Sequence, residues 1–308
     1  MTKDKKPKIV CIGGPTGVGK TSLAIKIAKL FDGEIVSCDS IAIYKHLDIG
    51  SAKPTKEEMS IVPHHMIDIK EPTDNFSVAE YRQEAKKVID DILSRNKLPI
   101  IVGGTGLYMK GLLFPMELGK TDKSPEIREK YKLLAKTHGN KYLLDYLQKI
   151  DPESAEKLHE KDLLRIIRAI EIFELTGKKK SSFCTKLESE YDYMLIFLNR
   201  ERSVLYQNID KRAQNMIDNG LEVEVKELVK NYNLTKDSQS MSGIGYKEFF
   251  DYFDGKISRD EMIENIKKNC RHYAKRQITW FKAMPNVQEY DCKDAEKIID
   301  DVKAFLTD

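Results

Sequence analysis

Short strand-like runs alternate with helical periodicity over the first hundred residues. Residues 8–12 are a short β-branched run, residues 34–37 form a second predicted strand, and residues 98–102 are continuously apolar. Continuous apolar strands predict a sheet that is covered on both faces. Residues 21–31 and 77–93 instead place their apolar side chains at helical spacing. Strands that alternate with helices predict a parallel sheet in an α/β domain.

The pattern changes after about residue 114. Four consecutive segments have helical character without an intervening strand, namely 126–135, 140–148, 152–159 and 162–176. Residues 193–199 are strand-like again, and four long helices are predicted after them at 203–219, 221–231, 245–253 and 258–281. We therefore predict a core formed by residues 1–114 and 193–308, with helices in its C-terminal region, and a helical insertion domain at 115–192.

Composition excludes several classes of protein. Of the 308 residues, 41% are hydrophobic, which is enough for a core and argues against disorder. No apolar run approaches the roughly 18 residues of a membrane span, and the N-terminal run is too short for a signal peptide, so we expect no membrane association. Five cysteines, without any Cys-x-x-Cys pair, argue against disulfides and zinc and favour a cytoplasmic protein.

Charge is unevenly distributed near the C-terminus, although the net charge is only +3. Residues 265–282 contain six Lys or Arg and no acid, whereas residues 287–308 contain seven acids and three lysines. A basic segment of this kind indicates an anionic partner, and the alternative is an ordinary solvated helix face.

A complete phosphate-loop motif follows the first predicted strand and precedes the first predicted helix. It consists of Gly14, Pro15, Thr16, Gly17, Val18, Gly19, Lys20 and Thr21, which matches G-x-x-x-x-G-K-[ST]. Its backbone N–H groups and the Lys20 ammonium would surround a phosphate, and the Thr21 hydroxyl would bind Mg²⁺. The motif predicts a P-loop NTPase-like parallel sheet that binds a di- or triphosphate.

The usual second acid of a P-loop NTPase is missing. The predicted strand 98–102 runs into Gly103 and Gly104, and the acid found at a strand end is instead Asp39. In an open α/β sheet this position faces the same crevice as the phosphate loop. Asp39 could therefore hold a magnesium water, bind a ribose or act as a base, and the arrangement favours an enzyme that uses the acid on a second substrate.

Further motifs along nearly the whole chain resemble those of the bacterial tRNA dimethylallyltransferases. Beyond the phosphate loop they comprise Asp39-Ser40 with Tyr44, residues 48–54 (DIGSAKP), 64–68 (HHMID) and 103–108 (GGTGLY), Asp162 with Arg165, Arg168, Ala169 and Glu171, residues 245–248 (GYKE), and residues 274–281 (AKRQITWF). The phosphate loop occurs in many families, so the ordered set of the other motifs carries the resemblance.

The resemblance implies a specific reaction. A dimethylallyl group would pass from dimethylallyl diphosphate to N6 of the adenosine 3′ of the anticodon in a subset of tRNAs, with Mg²⁺ as cofactor. The phosphate loop would then hold the prenyl diphosphate rather than ATP. The implied partners are dimethylallyl diphosphate and the tRNA anticodon stem-loop, and we expect a monomer.

The resemblance also implies roles for individual residues. Asp39 would be the general base beside Lys20 and Thr21 in the catalytic set, and Arg202 and Arg212 would clamp the diphosphate. Residues expected to contact tRNA are Asp39, Ser40, Ile41, Ala42, Thr105, Arg128, Leu164, Arg165, Ile166, Ile167, Arg168, Gly243, Tyr246, Lys247, Arg271, Lys275, Arg276, Gln277 and Trp280.

Two positions depart from the family pattern. Ala42 stands where the family often has Gln, and Asn208 stands where it often has Arg. For His64 and His65 we predict a structural role, because no third metal ligand lies at a useful spacing. The alternative functions are a nucleotide or small-molecule kinase and a non-catalytic tRNA-binding protein.

Overall fold

The computed structural model describes residues 6–114, 124–183 and 188–308. The chain divides into two compact units, residues 1–113 with 189–308 and residues 114–188. Cys11, Cys38, Cys270 and Cys292 are free thiols, and Cys184 lies outside the described residues.

A six-stranded sheet forms the centre of the larger unit. The strands are β1 (Lys8–Gly13), β2 (Gly33–Ser37), β3 (His64–His65), β4 (Leu98–Gly103), β5 (Asp192–Asn199) and β6 (Val287–Asp291), in the order β3-β2-β4-β1-β5-β6. Every neighbouring pair is parallel. The predicted α/β class is confirmed.

Helices connect and cover these strands. In chain order they are α1 (Lys20–Leu30), α2 (Lys56–Ile61), α3 (Val78–Ser94), α4 (Gly106–Leu113), α5 (Pro125–His138), α6 (Asn140–Ile150), α7 (Pro152–Glu156), α8 (Leu163–Thr176), α9 (Arg202–Asp218), α10 (Leu221–Tyr232), α11 (Glu248–Phe253), α12 (Arg259–Lys282) and α13 (Ala295–Thr307), with short 3₁₀ turns at Lys180–Ser182 and Ser240–Ser242. Capping boxes define where α3 and α12 begin: Ser77 pairs with Glu80, and Ser258 with Glu261.

The sheet core is apolar on both faces, as its sequence predicts. Val10 of β1 and its neighbour Ile100 of β4 are completely buried on one face of the sheet. The next pair, Cys11 and Ile101, is completely buried on the other face. Because β1 and β4 end together, with Gly13 paired to Gly103, their carboxyl ends open into one crevice.

The smaller unit is helical and has its own core. Helices α5, α6, α7 and α8 enclose a cluster that includes Leu143, Leu147, Ile166 and Ile170, all completely buried. Helix α8 ends at Gly177 in the left-handed conformation (φ 67°), as its glycine predicts.

The C-terminal segment differs from expectation. Residues 287–308, noted in the sequence only for their acidic charge, form edge strand β6 (residues 287–291) beside β5 and then helix α13. Tyr290 of β6 and Ile298 and Val302 of α13 join the main core. A five-residue edge strand with only one buried side chain carries too little periodicity to be recognised.

Candidate active site

The phosphate loop joins the end of β1 to the start of α1. Gly17 and Gly19 adopt positive φ angles of 78° and 99°, a conformation that favours glycine. Gly19 caps α1 without a side-chain hydrogen bond, so the N–H groups of the first turn remain available to an anion.

Lys20 points back along this loop. Its ammonium donates to the carbonyl oxygens of Gly14 (3.0 Å) and Pro15 (2.8 Å). Burial and then the nearby Arg212 lower the pKa of Lys20 to about 7, and Asp39 offsets part of this effect. The site therefore concentrates positive charge away from water, where an anionic ligand would stabilise it.

Helix α9 supplies the second cation. The half-buried Arg212 guanidinium lines the same cavity as the loop, and burial lowers its pKa despite the opposing effect of Asp39. On the same helix, Asn208 donates from Nδ2 to the Gly17 carbonyl at 3.4 Å. The departure at position 208 thus lies directly against the phosphate loop.

Helix α12 braces the loop from another side. The Thr16 N–H donates to Gln277 Oε1 at 2.9 Å, and Gln277 Nε2 donates to the Gly104 carbonyl at 2.9 Å. Gln277 is buried, so it joins the phosphate loop to the end of β4. Gln277 also forms part of the cavity wall, and its predicted contact with tRNA stays a prediction.

Asp39 follows β2 and faces the cavity. Its Oδ1 accepts the N–H groups of Ile41 (2.8 Å) and Ala42 (3.2 Å). The adjacent Ser40 N–H donates to Thr105 Oγ1 at 3.0 Å, which ties the Asp39 turn to the end of β4. The carboxylate is therefore oriented by backbone contacts.

These groups surround a cavity of about 480 Å³. Predicted site residues in its wall are Thr16, Gly17, Gly19, Lys20, Thr21, Asp39, Ser40, Ile41, Ala42, Arg212, Gly243, Lys247, Arg276 and Gln277. Apolar wall residues, not predicted from sequence, include Ala24, Ile35, Ile67, Ala213 and Met216. A volume of this size, with both charged and apolar side chains in its wall, suits an amphiphilic anion.

Of the two arginines predicted to clamp the diphosphate, Arg212 lines the cavity and Arg202 does not. Arg202 is exposed at the start of α9, where its guanidinium stacks on Tyr206, and it does not line the cavity. Ten residues of α-helix separate it from Arg212 by about 15 Å and about 80° of rotation. The two arginines therefore cannot share one phosphate through the same face of α9.

Some predicted residues support the loops instead of lining the cavity. Gly14, Pro15 and Val18 are buried within the phosphate loop, and Thr105 bonds to Ser40. Tyr246 was predicted to touch tRNA, but it is completely buried.

The basic face of α12 is only partly free. Arg271 forms an ion pair with Asp210 of α9, so its charge is used between two helices. Lys275 and Arg276 are exposed, and Arg276 lies over the Tyr273 ring. Trp280 is 37% exposed and covers Gly106, where an added Cβ would lie 2.1 Å from Trp280 Cδ1.

The predicted residues of the insertion fall into two groups. Glu171, completely buried, accepts two hydrogen bonds from Arg128 and one from Arg168, so both arginines stabilise the unit. Burial raises the pKa of the Glu171 carboxyl, but the hydrogen bonds from the two arginines lower it by more, to about 2.

The other predicted residues of the insertion, all on α8, differ in how far their side chains are exposed. Ile166 and Ile167 belong to the core of the insertion, where their side chains are buried, and their predicted tRNA contacts stay predictions. Leu164 is 72% exposed, and the Arg165 side chain is 66% exposed. Of the residues predicted on α8, Leu164 and Arg165 are therefore the accessible ones.

The two histidines have separate surroundings. His65 Nε2 lies 2.8 Å from Glu34, whereas His64 Nδ1 bonds to the Val62 carbonyl and its ring borders the cavity. Within the described ranges, no group of three His, Cys, Asp or Glu could hold a metal ion.

The fold is that of a known class of protein. The family profile described as IPP transferase matches residues 42–284. The chain belongs to this family.

Individual relatives are similar to this chain over nearly its full length. A tRNA dimethylallyltransferase of Caldanaerobacter subterraneus subsp. tengcongensis is 49% identical, with 97% of each chain covered. The crystal structure of the full-length tRNA isopentenylpyrophosphate transferase of Bacillus halodurans is 40% identical, with a TM-score of 0.74 and coverage of 98% of this chain and 97% of that one. A eukaryotic dimethylallyltransferase acting on tRNA is 28% identical, with a TM-score of 0.81 over 98% of this chain and 80% of its own.

A membrane-spanning helix is not found in the described parts of the chain, since none there is both long and apolar enough.

Proposed function

We propose that this chain is a tRNA dimethylallyltransferase that moves a dimethylallyl group from its diphosphate to N6 of the adenosine 3′ of the anticodon. The products are N6-dimethylallyladenosine and diphosphate. The observation that carries the proposal is a single cavity lined by Lys20, Arg212 and Asp39, in a chain of the IPP transferase family. As an enzyme acting on tRNA, it would work in the cytoplasm as a monomer.

The phosphate-loop end of the cavity serves the leaving group. The allylic C–O bond breaks as negative charge grows on the diphosphate, and Lys20, Arg212 and the first-turn N–H groups of α1 offset that charge. Bound Mg²⁺ would neutralise further charge on the diphosphate. The donors present suit Mg²⁺ held mainly by substrate, because the Thr21 hydroxyl and Asp39 line the cavity without a larger acidic cluster among the described residues.

Asp39 serves the acceptor. The lone pair of an adenine N6 amine is delocalised into the ring, so bond formation must be accompanied by loss of a proton. As N6 bonds to the allylic carbon, its proton passes to Asp39, which the Ile41 and Ala42 N–H groups hold in place through Oδ1. Oδ2 is the oxygen left to receive the proton.

The target adenosine must leave its stack to enter the cavity. Extrusion of a base costs a few kcal/mol and costs least in an unpaired loop, which suits an anticodon loop. The exposed Lys275, Arg276 and Trp280 provide charge and an aromatic face along α12. Leu164 and Arg165 offer a second accessible surface on the insertion.

The direct test is to incubate the protein with radiolabelled dimethylallyl diphosphate, Mg²⁺ and unmodified tRNA, then digest the tRNA and identify the labelled nucleoside. We expect label in N6-dimethylallyladenosine 3′ of the anticodon, and none when Lys20→Ala replaces the wild type. A parallel reaction with γ-labelled ATP tests the kinase alternative. Transfer of phosphate from ATP, with no prenylated nucleoside, would overturn the proposal.

A further inference from the structure

One carboxylate outside the cavity binds an unusual number of backbone donors. Glu224, on α10, accepts at Oε2 from the N–H groups of Asp48 (3.0 Å) and Ile49 (2.7 Å). Its Oε1 accepts from the Gly50 N–H at 3.2 Å. Three successive N–H groups that converge on one anion form a nest, which here is filled by a side chain of the same protein.

A buried tyrosine completes this arrangement. The Tyr246 hydroxyl donates to Glu224 Oε1 at 2.8 Å and accepts the Ser51 N–H at 3.1 Å. Its ring lies against Gly50, where an added Cβ would be 2.5 Å from Cζ. Burial and the neighbouring Glu224 raise the Tyr246 pKa well above its usual value, so the hydroxyl stays protonated and keeps donating.

The two segments that Glu224 and Tyr246 join both contribute residues to the cavity wall. Gly50, Ser51, Ala52, Lys53 and Pro54 line one part of it. Gly243, Ile244 and Lys247, on either side of Tyr246, line another part. Neither Glu224 nor Tyr246 is itself in the wall, so each acts through the segments that it holds.

We propose that Glu224 and Tyr246 are positioning residues, which fix residues 50–54 and 243–247 as one rigid wall that receives the acceptor nucleotide. The assignment of the ligand rests on the proposed function. The phosphate cradle draws on the loop, α1 and Arg212, and among the described residues none of these is hydrogen-bonded to Glu224 or Tyr246. Loosening the wall should therefore impair use of tRNA and leave binding of the diphosphate unchanged.

The variants are Glu224→Gln, Tyr246→Phe and the double variant. Gln retains one acceptor oxygen but sets an NH₂ group against either Gly50 N–H or the Asp48 and Ile49 N–H pair, and Phe keeps the ring while removing the bridging hydroxyl. Glu227→Gln, an exposed position on the same helix, is the matched control. A 1 Å misplacement can cost on the order of 100-fold, so we expect kcat/KM for tRNA to fall roughly 10- to 100-fold in each single variant. The double variant should lose less than the product of the two losses.

Two further measurements separate the proposal from a general loss of stability and from failure of the proposed function. Hydrogen exchange of the amides at 48–51 should quicken in Glu224→Gln at temperatures where the variant is fully folded, and calorimetric binding of inorganic diphosphate should match the wild type. Unchanged kcat/KM despite faster exchange would overturn the positioning role, as would unchanged exchange. If the wild type prenylates no tRNA, the proposed function fails, and so does the assignment of the wall to an acceptor nucleotide. The hydrogen-exchange data would still show whether Glu224 holds residues 48–51 in place.

Discussion

The two carboxylate oxygens of Asp39 have different roles. Oδ1 caps the turn through Ile41 and Ala42, which leaves Oδ2 for substrate. An amide at this position can keep the first task and lose the second, because Asn Oδ1 still accepts both N–H groups whereas its NH₂ group cannot take a proton.

We expect Asp39→Asn to fold and to bind both substrates, with a single-turnover rate about 10²- to 10⁴-fold lower, the usual contribution of a general base. The measurement is rapid-quench transfer at saturating Mg²⁺ and substrates. Recovery of the wild-type rate with excess Mg²⁺ would contradict the assignment of Asp39 as the general base. It would indicate instead that Asp39 helps to bind the Mg²⁺ that activates the diphosphate leaving group.

Arg202 and Arg212 provide a matched pair on one helix. Arg212→Ala removes a charge from the cavity, so we expect dimethylallyl diphosphate to bind about 10- to 100-fold more weakly, or about 1.4 to 2.8 kcal/mol. Arg202→Ala removes an exposed charge stacked on Tyr206 and should bind normally. Calorimetric titration decides this, and equal losses in both variants would contradict the structural assignment.

Lys20 should make diphosphate binding depend on pH. Its pKa of about 7 means that the free site loses this positive charge as the pH rises through 7. A bound anion favours the ammonium and raises that pKa, so binding above pH 7 takes up a proton and weakens by at most about tenfold per pH unit. Calorimetry in buffers of different ionisation enthalpy measures the uptake, which Lys20→Met should abolish. Uptake that persists in Lys20→Met would assign the proton to another group.

At the scale of elements, α12 combines a buried bracing face with an exposed basic one. Arg271 is paired with Asp210, whereas Lys268 and Lys275 are exposed and form no ion pair within the described part of the chain. The free lysines, rather than Arg271, are therefore the positions expected to meet phosphates.

We expect Lys268→Ala with Lys275→Ala to weaken tRNA binding and to reduce the slope of log K against log salt by roughly 0.7 for each lysine that meets a single-stranded phosphate. Filter binding across a salt series measures it. Lys303→Ala, exposed on α13, is the control and should leave the slope unchanged. A slope unaffected by the double variant would show that this face of α12 is merely solvated.

Local motifs explain which elements and site residues were predictable. The phosphate loop lies in eight consecutive residues, and β1 and β4 are mostly apolar, so both follow from short windows of sequence. The two-residue β3 and the sparsely buried β6 are defined by their partners instead. Contacts such as Glu224 with residues 48–50 or Gln277 with Thr16 join distant segments, and no local pattern signals them.

At the scale of the whole molecule, each unit contains the contacts that stabilise it. In the insertion, the Glu171 carboxylate accepts from Arg128, Arg168 and the Ser124 N–H, and a separate apolar cluster surrounds Leu143 and Leu147. A unit with its own core and its own buried ion pairs should fold without the sheet.

We expect a fragment of residues 114–188 to unfold cooperatively. The pKa of Glu171 is lowered from 4.5 to about 2, so its stabilising contribution is complete above pH 4.5 and is lost as the pH falls toward 2. Glu171→Gln should cost about 1 to 3 kcal/mol, because it removes the charged acceptor that two half-buried arginines share, while the exposed Glu153→Gln should change little. Thermal melts by circular dichroism between pH 2 and 6 measure both, and a fragment without a cooperative transition would contradict this expectation.

The hydrogen bond between Gln277 and Thr16 connects the phosphate loop to a helix whose outer face is basic. This connection has a thermodynamic consequence. Gly13, Gly104 and Gly106 bring that helix very close to the strand ends, since an added Cβ at each would meet Phe281, Gln277 or Trp280 within about 2.1 Å. A displacement of α12 by a polyanion would therefore be transmitted to the Thr16 amide. Any resulting gain in diphosphate affinity must be matched by an equal gain in tRNA affinity when the diphosphate is already bound, so the two substrates would bind cooperatively.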